Sequence, residues 1–272
     1  MKFWKFSKFL AILTLAIITL SISVGSVGCT GVVPGTSATQ LEATMVPAVD
    51  LDVYIYVNQQ VPTNIPKTLT GADADITVQS LSIWGIINDA TQYAVGGALT
   101  FTNAADAGVV SAQLKNSTDF YTKLSDSTIY FVQGSGSSAE SLKNAIANND
   151  FKRYDDQKAL AEAAKLPSGG TTKPGLIGIV KPNQAAVDLA KKYLNQNTAS
   201  TLESLYSSAK PEIIALGVFS SQPIDLADTV QRISDNTVWD RDLGIVVSIA
   251  SAYPGIIFSP IASQYIKSQG LT

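Results

Sequence analysis

The chain contains no histidine and a single cysteine in 272 residues. Without imidazole there is no Ser-His-Asp triad, no Cys-His dyad and no histidine metal ligand. One thiol closes no internal disulfide and builds no thiolate zinc centre. No resident metal or cofactor is expected. Charge is sparse too: 15% of residues are Asp, Glu, Lys or Arg, and the formal net charge is −3. A chain with no positive excess lacks the electrostatic means to grip a phosphate backbone, so no nucleic-acid partner is expected. What the chain does have is apolar residues, 46% of the total, in the range of globular proteins.

The first such residues stand at the amino end. Lys2, Lys5 and Lys8 precede an uncharged stretch, Phe9 to Ile22, of 14 residues. A membrane-spanning helix needs about 20, whereas a secretory signal has this shape and length. Small residues follow, ending at Ser26-Val27-Gly28-Cys29. This tetrapeptide resembles the lipobox of prokaryotic lipoproteins, with Ser26 where that family usually carries Leu. The resemblance implies that Cys29 is acylated and becomes the amino terminus once residues 1–28 are removed. It also implies a protein held on the extracytoplasmic face of a prokaryotic cell envelope, with membrane lipid as the partner of Cys29. The only thiol in the chain sits at the one position where that chemistry needs it. Removing residues 1–28 takes away three Lys and no acid, so the charge becomes 16 − 22 = −6. An acidic protein has no polybasic patch for anionic lipid, which leaves the acyl chains as the anchor.

Residues 29–48 read as the lipidated cysteine and a flexible tether, from the Pro/Gly-containing TGVVPGTSATQ run. From Leu51 the pattern is ordered. Residues 51–58 alternate, with Val53, Ile55 and Val57 on one face and Tyr54 and Tyr56 on the other, as in a half-buried strand. Residues 61–71 hold two prolines and read as a loop, and 76–91 fits either a helix or a strand. Strands are expected at 93–102, 119–125 and 127–133. Asn103 is the expected cap of one helix, and the capping box Ser137-Ser-Ala-Glu140 opens another to about Asn149.

A charged helical stretch, 155–165, and the turn-rich PSGGTTKPG make residues 152–174 the expected connection between a first half (49–151) and a second (175–272). The second half reads as a strand at 175–180, a helix at 184–194 and a capping box at Ser200–Glu203. A strand at 212–220, a helix at 225–234, strands at 243–251 and 255–259 and a helix at 261–269 follow. Segments 98–114 and 216–233 parallel one another, as do 128–146 and 255–271, which points to an internal duplication. Adjacent strand pairs favour antiparallel pairing, so the expected class is α+β with predominantly antiparallel sheets, arranged as two similar ferredoxin-like halves. Residues 243–266 carry no charge, but Pro254, several Gly and Ser and many β-branched residues favour strands over a span.

Several patterns carry candidate chemistry. Gly134-Ser-Gly136-Ser-Ser-Ala139 has the spacing of a dinucleotide fingerprint, with Asp155 and Asp156 about 20 residues on. The strand before it reads as half of a hairpin, so a Gly/Ser turn into a helix is the preferred reading. Ser207-Ser-Ala-Lys210 and Ser234-Asp-Asn236 resemble two of the three motifs of penicillin-binding proteins and serine β-lactamases, which would make Ser207 a nucleophile and Lys210 its base. Their third motif is absent, and Pro211 ends the helix directly after Lys210. Acids pair at Asp50/Asp52, Asp73/Asp75, Asp155/Asp156 and Asp240/Asp242, without EF-hand spacing. Tyr54, Tyr56, Trp84, Tyr93, Trp239 and Tyr253 could line a cleft or simply pack. The sequence therefore points to a membrane-anchored lipoprotein that binds an envelope protein or a small molecule, or scaffolds the envelope, rather than to an enzyme. A transporter's solute-binding lipoprotein is the alternative, and a serine or carboxylate hydrolase of the envelope ranks below both.

Overall fold

The computed structural model describes residues 37–57, 78–89, 91–115, 120–166, 175–193, 212–219, 244–250 and 255–258, with five scattered positions between 196 and 207. The chain enters through helix α1 (Ser37–Glu42) and strand β1 (Met45–Pro47). It continues through β2 (Val53–Val57), β3 (Val78–Ile87), β4 (Tyr93–Phe101), helix α2 (Ala104–Lys115), β5 (Tyr121–Ser125), β6 (Thr128–Gly134) and helix α3 (Gly136–Ala147). After β7 (Phe151–Arg153) and α4 (Gln157–Ala163) come β8 (Leu176–Val180), α5 (Gln184–Tyr193), β9 (Ile213–Phe219), β10 (Gly244–Ala250) and β11 (Gly255–Phe258).

Among the described residues, nine strands form one sheet in the order β11-β10-β9-β8-β2-β3-β4-β6-β5, and β1 pairs with β7 in a separate two-stranded ribbon. Every pairing is antiparallel. The class is thus α+β with antiparallel sheets, as the close-set strand pairs imply. The two halves meet edge to edge, β2 against β8, with Val53 opposite Val180 and Val57 opposite Leu176. This arrangement departs from two four-stranded ferredoxin-like halves: β4, α2 and β5 do form a split βαβ unit around β6, but β2 and β3 continue the sheet beyond β4. It also differs from a strict duplication: β4 pairs with the second strand of its hairpin, β6, whereas β9 pairs with the first, β10. Segment 78–87, which fitted either period, is a strand between β2 and β4. Residues 244–250 and 255–258 are strands, and among the described residues no helix is long and apolar enough to cross a membrane.

The register assigns each side chain to a face, because directly paired residues point the same way. Tyr54, Trp84, Val132, Ile177, Ile179 and Ala215 share the front face. They form one core with Leu142 and Ile146 of α3, Leu160 and Ala163 of α4, Leu41 of α1 and Val46 of β1. Val53, Ile55, Val57, Ile83, Leu99 and Phe131 lie on the back face and are equally buried. Helix α2 packs on β4, β5 and β6. Strand β2 is therefore buried on both faces rather than half-buried, since α3, α4 and the β1–β7 ribbon cover its tyrosine side. Tyr54 is 1% exposed.

Residues 37–47, expected within the tether, fold as α1 and β1. Leu41 and Val46 anchor them, but two buried apolar residues in so short a stretch, with Met45 exposed beside them, leave no periodicity to read. The expected connection likewise enters the core: α4 buries Ala159, Leu160 and Ala163 on β8, β9 and α1, and Leu166 is buried just beyond it.

Helix ends follow local chemistry. Asn103 Oδ1 accepts the Asp106 N–H at 2.8 Å and caps α2 as expected. Asn183 caps α5 through the Ala186 N–H at 2.8 Å. The capping box at Ser137–Glu140 does not form. Helix α3 starts two residues earlier with Ser135 as N-cap, and the Ser135 hydroxyl donates instead to Thr91 O at 2.7 Å. Glu140 pairs with Lys143 at 2.9 Å. The second box, Ser200–Glu203, sends the Glu203 carboxylate to Lys191 at 2.6 Å.

Candidate functional site

Three cross-strand rows set the chemistry of the front face. The first, Tyr54–Trp84–Gly96–Val132, is apolar and faces the core. Two residues along each strand, the second row reads Tyr56–Ser82–Ala98–Tyr130–Lys123, and the Lys123 ammonium is turned to the carbonyls of Ile146 and Ala147 at the end of α3. The third reads Ser80–Thr100–Thr128–Ser125. Within four residues along each strand the face therefore changes from hydrocarbon to hydroxyl. The polar rows form one wall of a groove of about 500 Å³, and Gln40, Ala43, Thr44 and Met45, at the end of α1 and the start of β1, form the other.

The groove is uncharged. Its lining carries no carboxylate, ammonium or guanidinium, only hydroxyls, one carboxamide, small aliphatic groups, a thioether and two phenol rings. Thr100 and Thr128 share a hydrogen bond at 3.2 Å, and Thr44 Oγ1 donates to Gln40 O at 2.9 Å. Burial raises the Tyr130 phenol above its ordinary value, so the ring stays neutral. Tyr130 lies nearly parallel to Trp84 at 6.4 Å and tilts against Phe151 at 5.0 Å, which fixes its orientation.

Behind the wall lie two polar atoms without partners of hydrogen-bonding geometry, Tyr54 Oη and Trp84 Nε1. Burial drives the Tyr54 phenol far above its ordinary value, partly offset by the hydroxyls of Thr44 and Ser82 beside it. Both of those residues line the groove. An unpaired buried donor costs free energy, and here the groove lies directly in front of it.

A second recess, of about 220 Å³, lies between β1 and the strand ends and holds Asp50, Lys152, Asp155, Asp156 and Lys181. Apart from Asp50, its charges are committed to structure. Asp156 accepts the Ala159 N–H at 3.0 Å as N-cap of α4 and pairs with Lys181. Burial pulls the Asp156 carboxyl up, but the Lys181 ammonium and the N–H groups of Ala159 and Lys158 outweigh it, and the net shift is downward. Asp155 pairs with Lys152 at 3.2 Å. Asp52 accepts the Ile87 N–H at 2.7 Å, and burial raises its carboxyl against the pull of that bond and of Lys181.

The glycine fingerprint is a turn between antiparallel strand β6 and α3, and its helix start is already occupied. Ser135 N donates to Tyr93 O at 3.1 Å, Asn88 Nδ2 reaches Ser138 Oγ at 2.8 Å, and Gln92 lies against Gly136. Asp155 and Asp156 serve ion pairs and a cap. Ser207 is exposed. Cys29, Lys210, Ser234, Asn236, Asp73, Asp75, Asp240, Asp242, Trp239 and Tyr253 lie outside the described residues. Of the aromatics, Tyr54 and Trp84 are core, Tyr93 is half-buried and Tyr56 stands in the groove wall. Among the described residues no group of three or more His, Cys, Asp or Glu is placed to hold a metal ion. Sequence reasoning missed Ser80, Ser82, Thr100, Thr128 and Tyr130. The usable signal was serine at 80 and 82 alternating with Leu81 and Ile83, once 78–87 is known to be a strand.

No family model matches the chain, and no curated protein does. Two crystal forms of TP0453 show a distant structural similarity. Form III has a TM-score of 0.35 at 11% identity, over 82% of this chain and 84% of that one. Form I has a TM-score of 0.30 at 12% identity, over 84% and 99%.

Proposed function

We propose that this chain is a membrane-anchored extracytoplasmic lipoprotein, held by acylated Cys29, whose folded part is a non-catalytic binding module. The observation that carries the reading is the position of the only thiol, directly after a signal-like segment and eight residues before α1. Eight residues span at most about 29 Å. The groove, whose outer wall is built from the end of α1 and the start of β1, thus belongs to the membrane-proximal end of the chain.

The chemistry of the described residues favours binding over catalysis. The groove lining offers no acid or base that titrates near neutrality, and the paired carboxylates of the second recess are held in ion pairs and a helix cap. The continuous sheet through β2 and β8 favours a fixed display surface over the closing two-lobed clamp of a transporter's solute-binding lipoprotein.

Anchoring by acyl chains has a plain test. Membranes carrying the protein are washed with high salt and then with detergent. Salt removes proteins bound by charge, because screening shortens the reach of surface electrostatics. A −6 protein held by lipid stays through the salt wash and leaves with detergent. Cys29→Ser should appear as unprocessed precursor or as released protein. A Cys29→Ser protein still acyl-labelled and membrane-bound contradicts the reading.

A further inference from the structure

The groove has a shape and a chemistry that specify its ligand more narrowly. In the second row Tyr56 and Tyr130 flank two small residues, Ser82 and Ala98, on adjacent strands. Three strand spacings separate the tyrosines, about 14 Å at 4.8 Å per spacing. The small pair leaves a trough between two phenol rings. The third row runs alongside as Ser80–Thr100–Thr128, each hydroxyl both donor and acceptor. Across the gap stand Gln40 and Thr44.

We propose that this trough binds a neutral, polyhydroxylated ligand, a short stretch of uncharged sugar rings lying flat on the sheet between Tyr56 and Tyr130. The inference rests on the binding-module reading above and names the ligand class of that same site. A sugar ring presents hydroxyls that both donate and accept at its rim and an apolar C–H face, which matches hydroxyl rows beside phenol rings. The uncharged lining excludes the usual partners of ionic ligands: there is no cation for a phosphate or uronate and no carboxylate for an ammonium. The net charge of −6 after removal of residues 1–28 further disfavours anions. The second observation is the buried Tyr54 hydroxyl, which has no partner of hydrogen-bonding geometry although the hydroxyls of Thr44 and Ser82 in the groove wall stand beside it. An extended peptide is the poorer match, because its backbone groups seek a free strand edge and the groove floor lies on β3 and β4, both paired on either side.

The test is calorimetric titration of the full acylated chain in a phosphocholine detergent, since sugar-headed detergents carry the chemistry under test. The probes are maltotriose, cellotriose and tri-N-acetylchitotriose, with trigalacturonate as the charged counterpart. We expect one or more neutral trisaccharides to bind and trigalacturonate not to. Ala98→Phe fills the trough and abolishes binding. Tyr56→Phe, and the double variant Thr100→Val with Thr128→Val, weaken it about fivefold for each hydroxyl that bonds the sugar. The double variant removes both partners of one hydrogen bond and so spares the fold. Val109→Ser, on exposed α2 surface, leaves binding unchanged.

A sugar could reach the trough free or as a lipid headgroup. Repeating the titration in vesicles with and without digalactosyl diacylglycerol separates the two. A weaker apparent affinity in the glycolipid vesicles assigns a headgroup, and an unchanged one assigns a soluble or wall-borne glycan. No heat from any neutral trisaccharide up to about 10 mM, equal binding of trigalacturonate, or binding indifferent to all the groove variants overturns the proposal. Intact-mass measurement of the same sample keeps the two readings apart. An acylated chain that binds no sugar overturns the ligand class and leaves the anchored module standing. A sugar-binding chain without acylation does the reverse.

Discussion

Gly97 and Gly108 should respond in opposite senses to the same substitution. At Gly97, on the back face of β4, an added Cβ would stand 2.3 Å from Ser82 O and 2.6 Å from the Phe131 ring. One is backbone in a paired strand and the other a ring in the core, so neither yields cheaply. Gly97→Ala should cost about 2–3 kcal/mol. Gly108 lies within α2 with nothing inside 4 Å of the added atom. Gly108→Ala should gain up to about 1 kcal/mol from helix propensity. Urea unfolding midpoints check both, and a stabilised Gly97→Ala would contradict the register. Tyr54→Phe removes a buried hydroxyl that lacks a partner, so stability should hold or rise by about 1 kcal/mol. A loss of that size would mean that the hydroxyl is bonded in the free protein. At Gly134 the backbone itself makes the demand: its φ of +144 lies where only glycine is at ease, and it turns β6 into α3.

Helix α4 shows how one carboxylate ties elements together. Asp156 caps α4, and its ion pair reaches Lys181 just after β8. Asp156→Ala should cost about 1–2 kcal/mol at neutral pH, the range for losing an N-cap. The pH dependence has a definite sign. Asp156 is held below its ordinary 3.8 in the fold, so its contribution is present above that value and is lost as pH falls through the lowered one. The deficit of Asp156→Ala should therefore shrink below about pH 3.8. Asp52 is raised, so it has the opposite sign: its contribution is present below 3.8 and is lost as pH climbs through the raised value. Relative to the natural chain, Asp52→Asn should then gain stability as pH rises over that window. Unfolding midpoints across acid pH read both trends, and slopes of the reverse sign would refute these assignments.

Elements with strong local signals were legible in the sequence: the alternation of 53–57, the Asn103 cap and the close-set strands at 121–134. Segment 78–87 was not, because Ile83, Trp84 and Ile87 satisfy a helical period as well as a strand's, and its partners β2 and β4 decide it. The Ser137 capping box was misleading. Ser135 finds Thr91 O across the turn, a contact 44 residues away in sequence that local pattern does not encode. The groove was hidden for the same reason: Ser82, Ala98 and Tyr130 become neighbours only through register.

At the scale of the molecule, one antiparallel sheet joins both halves, with the groove on its front face and α1 leading into it from the amino side. Val53–Val57 carry the junction, paired on one side with β3 and on the other with β8. Ile55→Pro would remove backbone hydrogen bonding at this doubly paired strand, and it should prevent folding of both halves rather than of one. Limited proteolysis would show whether a stable fragment from 175–272 survives; its survival would argue that the halves fold independently. The proposed placement of the groove beside a membrane depends on acylation of Cys29. The decisive measurement is intact-mass spectrometry of the protein extracted from its native membranes. The account predicts a chain that begins at Cys29 and carries added acyl mass. A chain that retains Met1, or that presents Cys29 as a free thiol, would contradict it.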